Sequence, residues 1–229
     1  MGSIIAPPVE QIPAFDGGDF EFDGPRFTAY CRQLSAKLAQ LPPKPQRDDK
    51  TYAAAEALKQ AAREARFAFL RRYAVSIYDR LTANRTRFVR LEQLVYDVAD
   101  LVPGLCPTRA EVAAEAELRQ SEKEGVEIDQ GILCNQFLAD PACGLHLCHA
   151  MLLPRAESAE ALAKFQRDGR LDLGFAKVER QGKAAVLLLA NRRFLNSEDN
   201  STQAATEIGA DVCILDRQSE VAVLRGDVV

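Results

Sequence analysis

A chain of 229 residues with 47% hydrophobic and 27% charged side chains has enough apolar content to bury one or two cores without covalent staples. Its net charge of -4 argues against a general binder of phosphate backbones, which carries a basic excess, so nucleic acid is not an expected partner. No apolar run reaches the roughly 18 residues of a membrane span, and the opening MGSIIAPPVEQ lacks the basic start and apolar stretch of a secretory signal. A cytoplasmic protein with no membrane partner is expected, its six cysteines reduced.

Residues 1–26, with the acidic Gly- and Pro-containing text PAFDGGDFEFDGP, read as an extended arm docked through Phe15, Phe20 and Phe22. Helical text dominates 27–168. A first helix over Phe27–Leu41 is stopped by Pro42, Pro43 and Pro45, which lack the donor a continuing helix needs. Apolar residues at helical spacing predict a long helix over Tyr52–Leu81 and another over Thr86–Leu101, ended by Pro103 and Gly104. Thr108 and Glu111 form a T-x-x-E capping box opening a helix toward Lys123. Further helices are expected around Cys143–Leu153 and over Ser158–Arg167.

The pattern changes at Arg170. Asp172–Arg180 alternates like a half-buried strand, Gln181-Gly182 makes a turn, and Ala184–Ala190 is apolar on both faces, so a hairpin is predicted. Asn196 or Ser197 would cap a helix to about Leu215, with Glu198 and Asp199 in its first turn. Val221–Leu224 then reads as a strand parallel to the second one, reached by a crossover. Strands apolar on both faces need a layer on each side, yet one helix follows them. The expectation is that polypeptide beyond Val229 completes the sheet, because an open parallel edge invites wrong pairing.

The blocks LLLANRRFLNSEDN and EVAVLRGDVV, with an N-R-x-x-x-N loop between strand and helix, resemble the start of a crotonase (enoyl-CoA hydratase/isomerase) fold. Joined to a helical region carrying GLHLCHAMLLPR, they are more closely similar to the 3,5-dihydroxyphenylacetyl-CoA 1,2-dioxygenase family. The resemblance implies an α+β protein, with an all-α domain at 27–168 and the N-terminal part of a crotonase-like ββα spiral at 169–229.

It further implies an oxygenase without metal or flavin, acting on an acyl-CoA thioester with dioxygen as co-substrate, in the biosynthesis of dihydroxyphenylglycine for glycopeptide antibiotics. Backbone amides of an oxyanion hole would hold the enolate oxygen. The Gly-rich segment that supplies them is expected beyond Val229, so catalytic residues are not assigned here and the chain alone is expected to be inactive. Partners implied are the acyl-CoA substrate, the remaining crotonase-fold polypeptide and further copies in a trimer or hexamer. The alternative is a helical assembly module whose partial crotonase unit is not catalytic.

By the same resemblance Glu198 would accept a hydrogen bond from a ring hydroxyl of the substrate, while Arg192, Arg193 and Phe194 would meet the CoA moiety. A helix-capping acid and solvated loop charges are the competing readings. Cys134, Cys143, His146, Cys148 and His149 are the types that bind zinc, but C-x2-H-x-C-H is not a standard knuckle, so a packed, reduced cluster is expected and no metal is assigned. The arginines at 63, 66, 71, 72, 80, 85, 87 and 90 make either a solvated helix face or a surface for CoA phosphates or the acidic arm of a neighbour.

Overall fold

The protein is described by a computed structural model over residues 11–227, and its backbone divides into two units between Met151 and Leu152. In the first unit, Asp19 accepts the amide of Glu21 at 2.9 Å and opens α1 (Phe20–Leu38), whose first turn carries Glu21 and Asp23 where carboxylates suit the positive helix end. The acidic text from Phe20 onward is therefore helix, which corrects the extended arm drawn to residue 26. Its carboxylates find partners within the same chain: Asp23 is fully buried and accepts from Tyr73, and Glu21 pairs with Arg80 at 2.8 Å. Residues 1–10 of the expected arm lie outside the described residues.

The prolines at 42, 43 and 45 do separate α1 from α2 (Asp49–Leu81), with a 3-10 turn over Lys44–Gln46 between them. The buried face of α2 carries mostly small side chains in its first half, Ala55, Ala61 and Ala65 around Leu58, and larger ones from Phe69 and Tyr73 onward. That face lets α1 approach until Phe27 stacks on Phe69 with centroids 4.6 Å apart, and Phe15 meets Phe69 edge-on at 5.3 Å.

Beyond α2 the backbone turns left-handed at three successive residues, Ala83, Asn84 and Arg85. The next helix consequently starts at Leu91 instead of Thr86, as α3 (Leu91–Leu101). The Thr108–Glu111 capping box opens α4 (Arg109–Ala116), which stops well short of Lys123. Glu115 explains the stop, because its buried carboxylate accepts the amides of Glu124, Gly125 and Val126 and folds the chain back before α5 (Glu127–Ala139). The helix α6 (Pro141–Leu152) follows, and Asp140 accepts the amides of Ala142 and Cys143 at its start.

The second unit consists of α7 (Ser158–Asp168), β1 (Arg170–Asp172), β2 (Ala176–Gln181), β3 (Ala184–Leu189), α8 (Gln203–Leu215) and β4 (Val221–Gly226). The sheet order is β1-β2-β3-β4, with β1, β2 and β3 antiparallel and β4 parallel to β3, as the crossover requires. Helix α7 belongs here and not with the helical region, which moves the division from 168/169 to 151/152. Its Ala161 and Phe165 pack with Leu171, Val178, Leu187 and Val212, so α7 and α8 cover the same face of the sheet.

On that face the helix–sheet approach at α8 depends on Gly209, where a Cβ would come within 2.5 Å of the Leu187 Cδ1. The opposite face is mixed, since Glu179 and Lys177 of β2 stand beside Val186 and Leu188 of β3. All six residues of β4 are exposed, Leu224 at 64% and Val221 at 55%. Within this unit, then, α7 and α8 layer one face of the sheet, and the residues of its last strand are exposed. The short β1 was not foreseen; Asp172, expected to open the hairpin strand, pairs instead with Lys177 across a turn.

Candidate functional site

Parallel pairing puts the carboxyl ends of β3 and β4 at the same edge of the sheet, the place where open sheets containing parallel strands present loops to ligands. The segment Asn191–Asn200 leaves β3 at this edge. Asn191 is buried and organises it: its side-chain amide donates to the Ser197 carbonyl at 2.8 Å, and its own carbonyl accepts from the Asn196 amide at 2.8 Å. Leu195 and Asn196 adopt left-handed backbone, φ 54° and 59°, a region in which Asn is tolerated better than most residues.

The loop is then tied to the end of β4. Asn196 donates to the Asp227 carbonyl at 3.0 Å, and the Arg192 guanidinium meets the Asp227 carboxylate at 2.6 Å. Asp227 in turn donates its amide to the Leu189 carbonyl at 2.8 Å, closing a ring of contacts between both strand ends. Asn191, Asn196 and Asp227 were not singled out as a scaffold from sequence. The N-R-x-x-x-N spacing held the signal for the two asparagines, whereas Asp227 joins from 31 residues away in the chain and carried none.

On this scaffold Arg192, Arg193, Phe194 and Glu198 all point to solvent. The Arg193 guanidinium lies over the Phe194 ring, 5.2 Å from its centroid, and Phe194 is 55% exposed. Glu198 makes no hydrogen bond or ion pair among the described residues. It does not cap α8 either, since that helix begins at Gln203 and the turn before it is built by Asp199, which accepts the amide and hydroxyl of Ser201. Those hydrogen bonds, the hydroxyl's first, hold the Asp199 carboxyl below its usual range. The loop thus brings together two guanidinium groups, one exposed ring and one unengaged carboxylate at a single strand edge.

The Cys/His region folds otherwise. His146 Nδ1 lies 2.8 Å from the Tyr78 hydroxyl, and Phe88 stacks on the imidazole at 4.5 Å. Burial lowers the His146 pKa and pushes the Cys143 thiol up to about 12. Cys148 is exposed, and among the described residues no three His, Cys, Asp or Glu side chains converge as a metal site.

Four of the eight arginines pair with carboxylates of the same chain. Arg66 pairs with Asp129 at 3.2 Å, Arg80 with Glu21, Arg85 with Asp79 at 3.0 Å and Arg90 with Glu92 at 2.7 Å. The described part of the acidic segment meets them from its own chain through Glu21. No helix among the described residues is long and apolar enough to cross a membrane.

No protein-family model matches the chain. Over 199 residues it is 41% identical to a curated protein of Amycolatopsis orientalis named (3,5-dihydroxyphenyl)acetyl-CoA 1,2-dioxygenase, an alignment covering 87% of this chain and 46% of that protein. The chain therefore spans about half the length of the curated relative it matches.

Proposed function

The chain belongs to the (3,5-dihydroxyphenyl)acetyl-CoA 1,2-dioxygenase family, and from that premise we propose that it forms part of an oxygenase converting 3,5-dihydroxyphenylacetyl-CoA and dioxygen to 3,5-dihydroxyphenylglyoxylate and CoA. The reaction balances without an added reductant. The acidic α carbon gives up a proton and the carbanion forms a C–O bond to dioxygen. The outer peroxide oxygen attacks the thioester carbonyl as the C–S bond breaks and the thiol leaves with a proton, and loss of the second α proton with cleavage of the O–O bond leaves both oxygen atoms in the α-keto acid.

The observation that supports this reading is the loop at the carboxyl ends of β3 and β4, taken with the identity to the dioxygenase. In the proposal, Arg193 and Phe194 receive the CoA moiety through charge and apolar contact, and Arg192 joins them from its pair with Asp227. Glu198, unengaged in the free loop, accepts a hydrogen bond from a ring hydroxyl.

A crotonase-like spiral would continue the sheet past β4, whose exposed Val221, Val223 and Leu224 would gain neighbours. The oxyanion hole then lies on polypeptide outside these 229 residues, in keeping with the 46% share of the relative that the chain spans. Neither metal nor flavin has a role in the proposal, and assembly as a trimer or hexamer belongs to it.

Complementation tests the reading. The chain, mixed or co-expressed with a polypeptide carrying the remainder of the relative's fold, should take up oxygen and release free thiol when given 3,5-dihydroxyphenylacetyl-CoA. A stable, folded complex that does neither would sink it.

A further inference from the structure

The helical unit contains a cleft of about 780 Å³ between α1, α2 and the turns that precede α4 and α5. That volume lies in the range of small-molecule sites. Five cations line it against three carboxylates, and they fall into two groups. Arg47 and Lys59 both reach Glu124, at 2.6 and 3.1 Å, and Arg66 reaches Asp129. Glu111 is occupied by its capping box with Thr108.

Arg32 on α1 and Arg63 on α2 are left over: neither makes a hydrogen bond or ion pair among the described residues, although Arg63 is half-buried and its charge still acts on Asp129 through space. Both guanidinium groups line the cleft with their nitrogens open to water and to a ligand, and an anion there could take charge-assisted hydrogen bonds from each.

Apart from Thr28, Ser35 and Thr108, the side chains that complete the lining are largely apolar. Leu38 and Ala62 are half-buried, and Leu34, Leu41 and Leu58 stand behind them with Pro42 and Pro43 at one side. A phosphate dianion has no apolar body to set against leucine and proline, and a neutral hydrocarbon leaves both guanidinium groups unanswered. A single negative charge on an apolar body satisfies both walls.

We propose that this cleft binds an amphipathic monocarboxylate, its head group on Arg63 and Arg32 and its aryl or acyl body against Leu38 and Ala62. The site is distinct from the Asn191–Asn200 loop and does not depend on the dioxygenase reading.

Titration calorimetry on the whole 229-residue chain tests it with three probes: octanoate, 4-phenylbutyrate and the neutral octanamide. Saturable binding of at least one carboxylate is expected, the better of the two identifying an acyl or an aryl body. Octanamide, and the same carboxylate against Arg63→Gln, should bind at least about tenfold more weakly, the scale of one charge-assisted hydrogen bond.

Arg32→Gln, at an exposed position, supplies the same comparison if Arg63→Gln does not fold, and Ser35→Trp, also exposed in the lining, should block the cleft. Arg217→Gln, at an exposed position of the other unit, should leave the affinity unchanged. Absence of saturable binding for both carboxylates, or affinities indifferent to the head group and to both arginine substitutions, would overturn the proposal.

Discussion

The Tyr73 hydroxyl donates to the buried carboxylate of Asp23 at 2.6 Å, joining the first turns of α1 to α2. Arg26 supplies the other oxygen with a donor at 3.2 Å. Burial, together with the adjacent Asp23, raises the Tyr73 pKa, so the phenol stays protonated as the donor. Tyr73→Phe leaves one oxygen of an enclosed carboxylate unsatisfied and should cost about 1–3 kcal/mol. Urea unfolding at neutral pH measures it, and a change below a few tenths would contradict the pairing.

Gly144 lies where α6 passes the end of α5. A Cβ there would come within 2.9 Å of the Leu138 carbonyl oxygen, a backbone atom that cannot rotate aside. Gly144→Ala would gain up to about 1 kcal/mol of helix propensity but must displace one helix from the other, at about 1–3 kcal/mol. A lowered melting temperature is expected; a raised one would show that the two helices separate freely.

Asp216 anchors the turn before β4. Burial pushes its pKa up, but hydrogen bonds from Ser219 and Arg180, then from the Gln218 amide, outweigh it and bring the value below the ordinary range. A carboxyl depressed in the folded state contributes stability in full above its unfolded pKa of about 3.9, and that contribution is lost as pH falls through the lower folded value. The stability gap between the native chain and Asp216→Asn should therefore be constant from pH 7 to pH 5 and shrink below pH 4. Denaturant titrations at pH 7, 5 and 3 decide it, and a gap that widens in acid would refute the sign.

Thiol chemistry should separate the cysteines. Cys148 is exposed, while burial raises the pKa of Cys31 to about 11 and those of Cys106 and Cys143 to about 12. Reaction follows the accessible thiolate. A disulfide reagent at pH 8 should label Cys148 first, with Cys31, Cys106 and Cys143 reacting only on unfolding. Peptide mapping that finds Cys143 labelled as fast as Cys148 would contradict the packing of α6.

If Glu198 accepts a ring hydroxyl, Glu198→Gln in the complemented enzyme should lower kcat/KM for 3,5-dihydroxyphenylacetyl-CoA by about tenfold or more while leaving phenylacetyl-CoA nearly unaffected. Equal losses on both thioesters would remove Glu198 from ring recognition.

Local chemistry made much of this fold readable. The Thr108–Glu111 box, the proline stop after α1 and the two-residue period of β2 each depend on neighbours in sequence, and each stands in the structure. Long-range partners overturned the rest. The acidic text before Pro25 became helix because Tyr73 and Arg80 offered it donors 50 and 59 residues away. Helix α4 stopped early because Glu115 found three amides in the following turn, and α7 changed units because Phe165 packs on the sheet. At the candidate site the asparagine spacing was visible, whereas the tie to Asp227 needed β4 in place.

The position of β4 at the rim of the sheet has a consequence for hydrogen exchange. Amides in β4 that donate to β3 are held in the ladder, while those alternating with them face away from it. In deuterated solvent this strand should show a two-residue rhythm of slow and fast exchange, and any chain that docks along it would slow the fast half and erase the rhythm.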